Sequence, residues 1–231
     1  PLLFKLAVPT VVAQIINMLY NVVDRIYLGH IPGEGSLALT GVGVCLPIIL
    51  VVSAFAALVA SGGAPKASIA MGRGDNDEAE RIIGSCLSFL IIISIVLSVV
   101  LVIWNRPMLL TFGASENTID YASSYMTIYA CGTIFVQMTL GMNAFITAQG
   151  KTTISMLTVV IGAVLNIILD PIFIFAFGMG VKGAALATIM SQCVSSIWCI
   201  IFISGKKSLL RLKVKNMKIE PTLLFPCLAL G

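Results

Sequence analysis

Six long stretches of this chain contain no Asp, Glu, Lys or Arg: residues 6–23, 35–65, 82–105, 121–150, 152–169 and 183–205. The fifth is interrupted by a single acid, Asp170, and then continues through 171–181. A helix needs ~20 apolar residues to cross the hydrocarbon of a bilayer, so each run with its flanks predicts one spanning helix. Within lipid the backbone must satisfy its own polar groups, and the apolar content is too continuous for the alternating strands of a barrel. The predicted helices lie near 5–29, 41–70, 82–104, 121–148, 153–177 and 183–204, and residues 221–231 open a seventh. The expected organisation is an all-α polytopic membrane protein: an N-terminal six-helix transmembrane lobe over 1–204, a basic cytoplasmic linker over 205–220, and the truncated start of a seventh transmembrane helix over 221–231.

Composition supports that class. The chain is 58% hydrophobic and 10% charged, against about a quarter charged in a soluble domain. A soluble fold of 231 residues has too little interior to hide so much apolar surface. The net charge of +4 is not gathered on a folded basic face, which argues against nucleic acid as a partner. The six cysteines contain no CxxC pair and mostly sit in apolar runs, where they read as small packing residues. The chain starts at Pro1 without Met and stops at Gly231 within an apolar run, so both ends read as cuts.

Charge also orients the helices. With the N-terminus inside, Lys5, Lys66, Arg73, Arg81, Lys151, Lys206, Lys207, Arg211, Lys213, Lys215 and Lys218 fall on the cytoplasmic side, against Arg25, Arg106 and Lys182 on the other. This positive-inside bias predicts a multi-pass protein of the cell (inner) membrane, bacterial, with a cytoplasmic N-terminus. The basic segment GKKSLLRLKVKNMKIE (205–220) is expected to rest on anionic lipid headgroups.

Function is expected where polar residues break the apolar rule. Of ten acids, only Asp24 and Asp170 fall inside spans, and a charge at mid-membrane costs ~2.5–3.5 kcal/mol on insertion scales. Asp24 lies 19 residues beyond Lys5, and Asp170 lies 19 beyond Lys151. A helix rises ~1.5 Å per residue, so both carboxylates sit ~28 Å from a cytoplasmic anchor. Thr188 stands 18 residues before Lys206 on a helix running the other way, which brings it to a similar level. Helical faces agree with depth. Gln14, Asn17, Asn21 and Asp24 form one stripe on helix one; Gly162, Asn166 and Asp170 another on helix five; Thr188, Gln192 and Ser195, with Ser191 beside them, a third on helix six. Tyr125 on helix four reaches the same level, whereas Asn143 lies nearer the cytoplasm.

The ordinary reading of such stripes is helix–helix glue. Carboxylates are seldom needed for glue, so the two acids point instead to an ion site. With Asn166 and Thr188 they offer hard oxygen ligands for Na⁺, or a proton shared between acids. The Asp170–Pro171 step adds a helix break, because proline removes a backbone hydrogen bond and crowds the carbonyl of Ile167. Gly41 and Gly43 with Pro47 are expected to permit close packing and a bend in helix two, and His30 reads as a solvated loop residue. No nucleophile–base pair, zinc motif or phosphate loop occurs, so the chain is not expected to be an enzyme or to carry a cofactor.

The run NVVDRIYLGH (21–30) resembles the first-helix motif of the multidrug and toxic compound extrusion (MATE) transporters. MGRGD (71–75) is similar to that family's first inner loop, and AFITAQGK (144–151) to the end of its fourth helix. VLNIILDPIFIF (164–175) with GMGVKGAALAT (178–188) resembles its fifth and sixth helices. The resemblance implies one six-helix lobe of a 6+6 transporter, the second, C-terminal lobe being the missing partner. It implies export of cationic, often aromatic drugs in exchange for Na⁺ or H⁺. It places the cation site on Asp24, Asn166, Asp170, Thr188 and Tyr125, and puts Asn143 near a drug cavity to which Gln14, Asn17, Asn21 and Gln192 also contribute. Two other readings stand beside it. A lipid or lipid-linked glycan flippase of the same superfamily would carry cationic rather than acidic residues in its cavity. A channel or structural subunit would line a continuous pore.

Overall fold

The structure is a computed structural model, and it describes residues 2–206 and 208–231; Pro1 and Lys207, the latter counted above among the inside cations, lie outside the described residues. Nine α-helices follow one another among the described residues: α1 (Leu2–Gly29), α2 (Gly35–Gly72), α3 (Asn76–Ile103), α4 (Asn105–Thr111), α5 (Ile119–Cys131), α6 (Thr133–Ala148), α7 (Thr152–Pro171), α8 (Val181–Ser204) and α9 (Pro221–Leu230). Four helices and the run Thr152–Ala176 are each long and apolar enough to cross a membrane. The sixth crossing is a pair, α5 and α6, bent by 59° at one break.

That bend corrects the expectation of a single helix over 121–148. It falls at Gly132, where a Cβ would lie 2.3 Å from the Ile189 side chain of α8. Close approach of α8 therefore demands glycine there, and glycine is also the residue that most readily lets a helix end. A second correction concerns the loop before α3. Asp75 caps the helix by accepting from the Glu78 backbone N–H at 2.9 Å, so α3 begins at Asn76, a turn and a half before the apolar run. The short α4 was not expected; Asn105 secures it by donating to Ser123 O at 3.0 Å and Thr127 Oγ1 at 2.7 Å on α5.

The break near Pro171 also differs in detail. The α-helix runs through Pro171 and then widens into one π turn, Ile172–Ala176. Gly178 and Gly180, with φ of +62° and +54°, reverse the chain into α8. Gly183 then seats α8 on that turn so closely that a Cβ would lie 2.7 Å from the Phe173 carbonyl carbon.

In the bundle α1 leans on α7; α2 packs on α3, α5 and α6; α8 packs on α5, α6 and α7. Gly41 touches α5, where a Cβ would meet Tyr121 Cβ at 2.9 Å, but Gly43 has open space before it, which corrects its reading as a packing glycine. The apolar exterior is large: Val8, Val11, Met18 and Val22 of α1 and Ile92, Ile95 and Val99 of α3 are all about half exposed or more. Such faces fit a lipid solvent. Lys66, Arg73, Arg81, Lys151 and Lys206 gather at one end, here called the basic end.

The segment after α8 does not float free. Gln149 Oε1 accepts from Ser208 Oγ (2.9 Å) and Leu209 N (2.8 Å). Ser85 and Ser88 of α3 donate to the Lys218 and Met217 carbonyls at 2.9 and 2.7 Å. Glu80, buried at 6% exposure, accepts from Arg211 N and pairs with Lys213 Nζ at 2.6 Å, while Arg81 pairs with Glu220. A segment expected to lie on headgroups is thus strapped to its own lobe by polar side chains of α3 and α6. Beyond it, α9 packs on α2 with backbone contact: a Cβ on Gly62 would overlap the Cys227 carbonyl.

Candidate functional site

The polar stripes of α1, α7 and α8 meet. Asp170 and Asn166 are buried, at 0% and 1% exposure, on the inner face of α7. Asn166 Nδ2 donates to Asp170 Oδ1 at 3.4 Å and to Thr188 Oγ1 at 3.4 Å. The Asp24 carboxyl of α1 faces Asp170, and Tyr125 of α5 lines the same space as Asp24 and Thr188. Residues far apart in sequence, 24 to 188, therefore form one cluster. It exists because α1 packs on α7 and α7 on α8, which turns three 3.6-residue stripes toward one point.

The cluster is rich in acceptor oxygens and short of donors. Asp24 Oδ1, Asn166 Oδ1 and Asp170 Oδ2 are buried and receive no hydrogen bond. Buried acceptors without donors are costly, and two carboxylates facing each other are costlier still. A small hard cation, or a proton on one acid, would supply the missing positive charge. The donor set fits either: oxygens from two carboxylates, an amide and a hydroxyl suit Na⁺, whereas no group of three His, Cys, Asp or Glu gathers anywhere among the described residues.

The cluster opens onto a cavity of about 550 Å³ between α1, α2, α5, α6 and α8. Asn17, Asn21, Asp24, Tyr125, Thr188 and Gln192 line it. Two predicted cavity residues do not. Gln14 is exposed on α1 and absent from the lining; Asn143 lies a helix bend away on α6, where its Nδ2 donates to Ser155 O at 3.3 Å. The stripe argument places Gln14 on the right face but too near the basic end, and Asn143 lies beyond Val136 and Leu140 of α6, which do line the cavity, and is held by Ser155 of α7.

Sequence reasoning missed Tyr20, Arg25, Ser53 and Tyr129, which also line the cavity. Tyr20 stands three residues from Asn17 and four from Asp24, so the stripe contained it; counting only amides and acids as polar hid it. Tyr129 lies one turn beyond Tyr125, and the two rings stack at 6.3 Å. Arg25 shares the cavity wall with Asp24 but forms no ion pair with it among the described residues.

The fold and site together define a multi-pass helical membrane lobe with an acid pair beside a cavity between its helices. The MatE family model matches residues 9–172, and the chain belongs to that family of multidrug and toxic compound extrusion transporters. It is 27% identical over 212 residues to the multidrug export protein MepA of Staphylococcus haemolyticus, covering 92% of this chain and 46% of that protein. MepA of Staphylococcus saprophyticus is 24% identical over the same length, with 92% and 47% covered. In fold, the lobe superimposes on a multidrug resistance MATE family transporter of the MOP superfamily in its outward-facing conformation (TM-score 0.90, 24% identity, 98% of this chain and 50% of that one). A MOP superfamily transporter from Pyrococcus furiosus matches equally well (TM-score 0.91, 24% identity, 100% and 50%). The chain spans about half the length of the curated relatives it matches.

Proposed function

We propose that this lobe couples the export of cationic or aromatic small molecules to the inward movement of Na⁺ or H⁺. The observation that carries the reading is the facing pair Asp24 and Asp170, with three buried oxygens that lack donors. Substrate occupies the cavity lined by Tyr125, Tyr129, Leu46 and Val136, where aromatic faces and the acid suit a flat cation. The second lobe encloses that cavity from the other side. Cation binding draws α1 against α7 and satisfies both acids, so it favours one access state over the other by the difference in its affinity for the two. The N-terminus and the basic end face the cytoplasm in this reading, in keeping with the distribution of Lys and Arg. A flippase for phosphate-bearing lipids has less support, since Asp24 lines the wall and Arg25 is its one basic residue.

The test is drug efflux by the full-length protein in vesicles, with Na⁺ and pH gradients imposed separately. One of the two gradients drives efflux in the wild type, and Asp170→Asn abolishes that dependence while the protein still reaches the membrane. Undiminished gradient-driven efflux by Asp170→Asn sinks the proposal.

A further inference from the structure

A linker that lets two bodies swing past each other is usually rich in glycine and serine and bonded to neither. Residues 208–220 are built otherwise. No glycine occurs between Gly205 and Gly231, and the one serine, Ser208, is itself bonded. Three donors of the segment, Ser208 Oγ, Leu209 N and Leu210 N, converge on Gln149 Oε1 at 2.9, 2.8 and 3.3 Å. The buried Glu80 carboxylate takes both the Arg211 amide and the Lys213 ammonium. Ser85 serves twice, donating to the Lys218 carbonyl at 2.9 Å and accepting from the Glu220 amide at 3.3 Å. Backbone meets backbone as well, since a Cβ on Gly84 of α3 would overlap the Asn216 carbonyl. Leu210 is wholly buried, in the same core as Ile82, Ile83 and Phe145.

Helix α9 continues this seat. Pro221 opens it and fixes the backbone where strap becomes helix. The helix then lies on α2 at two points one turn apart: Gly62 against the Cys227 carbonyl, and Gly231 against the Leu58 carbonyl. Leu224 and Cys227 are buried in the core that holds Leu210. Lifting strap and helix away would break the polar bonds together, part a buried ion pair and wet that apolar surface, so they move as a unit or not at all.

We propose that residues 208–230 form a fixed mount: strap and α9 travel with this lobe as one rigid body through the transport cycle. The inference rests on the alternating-access reading above and adds where the motion is not. A second lobe begun on such a mount turns about the basic end instead of swinging on a loose tether.

A mount, a latch that opens in each cycle and a passive tether respond differently to trypsin, whose sites in the strap are Arg211, Lys213, Lys215 and Lys218. The full-length transporter is placed in sealed vesicles with the basic end outward, and cleavage is scored from the termini released at those residues. In the wild type the cleavage rate should agree within about twofold whether a gradient drives drug transport or an ionophore has collapsed it. Gln149→Leu removes the common acceptor. It should speed cleavage by about fivefold or more and slow gradient-driven transport by about fivefold or more, with drug affinity unchanged within about twofold. If that variant fails to reach the membrane, Ser85→Ala combined with Ser88→Ala removes other fastenings and carries the same expectation. Cleavage several times faster during turnover makes the strap a latch and overturns the inference. Full transport through a loosened strap makes it a tether and overturns it too, as does unchanged cleavage in both variants, since the fastenings then hold nothing. Each of these results leaves the transport reading standing; a wild type that moves no drug under either gradient removes both.

Discussion

Asn166 donates to Asp170 Oδ1 and to Thr188 Oγ1, at 3.4 Å each, from a side chain almost wholly withdrawn from solvent. One amide thus ties the acid of α7 to the hydroxyl of α8 across the π turn and the glycine reversal that separate those helices in sequence. Thr188→Val keeps the shape of the side chain and deletes the oxygen. The Asn166–Thr188 hydrogen bond joins two neutral groups and is worth ~0.5–1.5 kcal/mol, roughly two- to tenfold in affinity. The concentration of coupling cation that half-saturates efflux should therefore rise by roughly two- to tenfold in Thr188→Val, with drug binding retained. An unchanged half-saturation would remove Thr188 from the site.

Two glycines make opposite predictions from similar sequence contexts. A Cβ on Gly183 meets the Phe173 backbone at 2.7–2.8 Å, and backbone cannot step aside as a flexible side chain can. Overpacking of this kind costs ~1–3 kcal/mol, so Gly183→Ala should lower the unfolding temperature of the detergent-solubilised protein by several degrees. Nothing lies within 4 Å of a Cβ on Gly43, and Gly43→Ala should leave it unchanged or slightly raised. Equal melting shifts in the two variants would contradict this placement of α8 on the π turn.

The helices were legible because lipid selects for long charge-free runs, and the acid cluster was legible because a carboxylate inside such a run has few bland explanations. Faces followed from spacing: Asn17, Asn21 and Asp24 share a cavity wall as their 3.6-residue period requires. What stayed hidden depended on contacts between elements. Gly132 gave no sign of a bend in a run that was apolar on both sides; its closeness to Ile189 of α8 shows only in the packed structure. Glu80 looked like a loop acid next to Arg81, and only the return of residues 211–213 buries it. Gly43 and Gly41 stand two residues apart, yet one faces open space and the other α5.

The strap of residues 208–220 should respond to Glu80. This carboxylate holds the Arg211 N–H at 3.2 Å and Lys213 Nζ at 2.6 Å from a buried position. Glu80→Leu leaves the Arg211 amide without its acceptor, at a cost of ~1–3 kcal/mol. Trypsin should then cut at Arg211, Lys213 or Lys215 several times faster than in the wild type under native conditions, while tightly packed α3 remains intact. Unaltered cleavage rates would show that Gln149, Ser85 and Ser88 hold the strap without help.

Acid should loosen the same strap from its other end. The hydrogen bond from Arg81 holds the Glu220 carboxyl below its ordinary value of 4.5. A group depressed in the folded state contributes its stability above its ordinary value and loses it as pH falls through the lower one. Trypsin is inactive in that range, so pepsin or hydrogen exchange is the suitable readout. Protection of residues 217–220 should hold down to about pH 5 and fall below about 4.5, and Glu220→Gln should abolish the pH dependence. A transition centred near neutral pH would assign the release to some other group.

The cavity wall separates residues that one helical stripe had grouped together. Gln192, Asn17 and Tyr20 line the space beside Asp24. Gln14 belongs to the same stripe as Asn17 but is exposed and does not line it. Truncating a polar group that contacts bound substrate forfeits a hydrogen bond, ~0.5–1.5 kcal/mol when both partners are neutral. Gln192→Ala and Asn17→Ala should each weaken binding of a fluorescent cationic drug by roughly two- to tenfold. Gln14→Ala should leave it unchanged, because its side chain reaches the substrate space from neither side. Tyr20→Phe discriminates further: with ring volume kept and the hydroxyl lost, drug affinity should hold while the response to the driving cation falls, since Tyr20 lines the cavity together with Asp24. Should Gln14→Ala weaken drug binding as much as Gln192→Ala, the substrate path extends along α1 toward the basic end, and the cavity described here is only its far chamber.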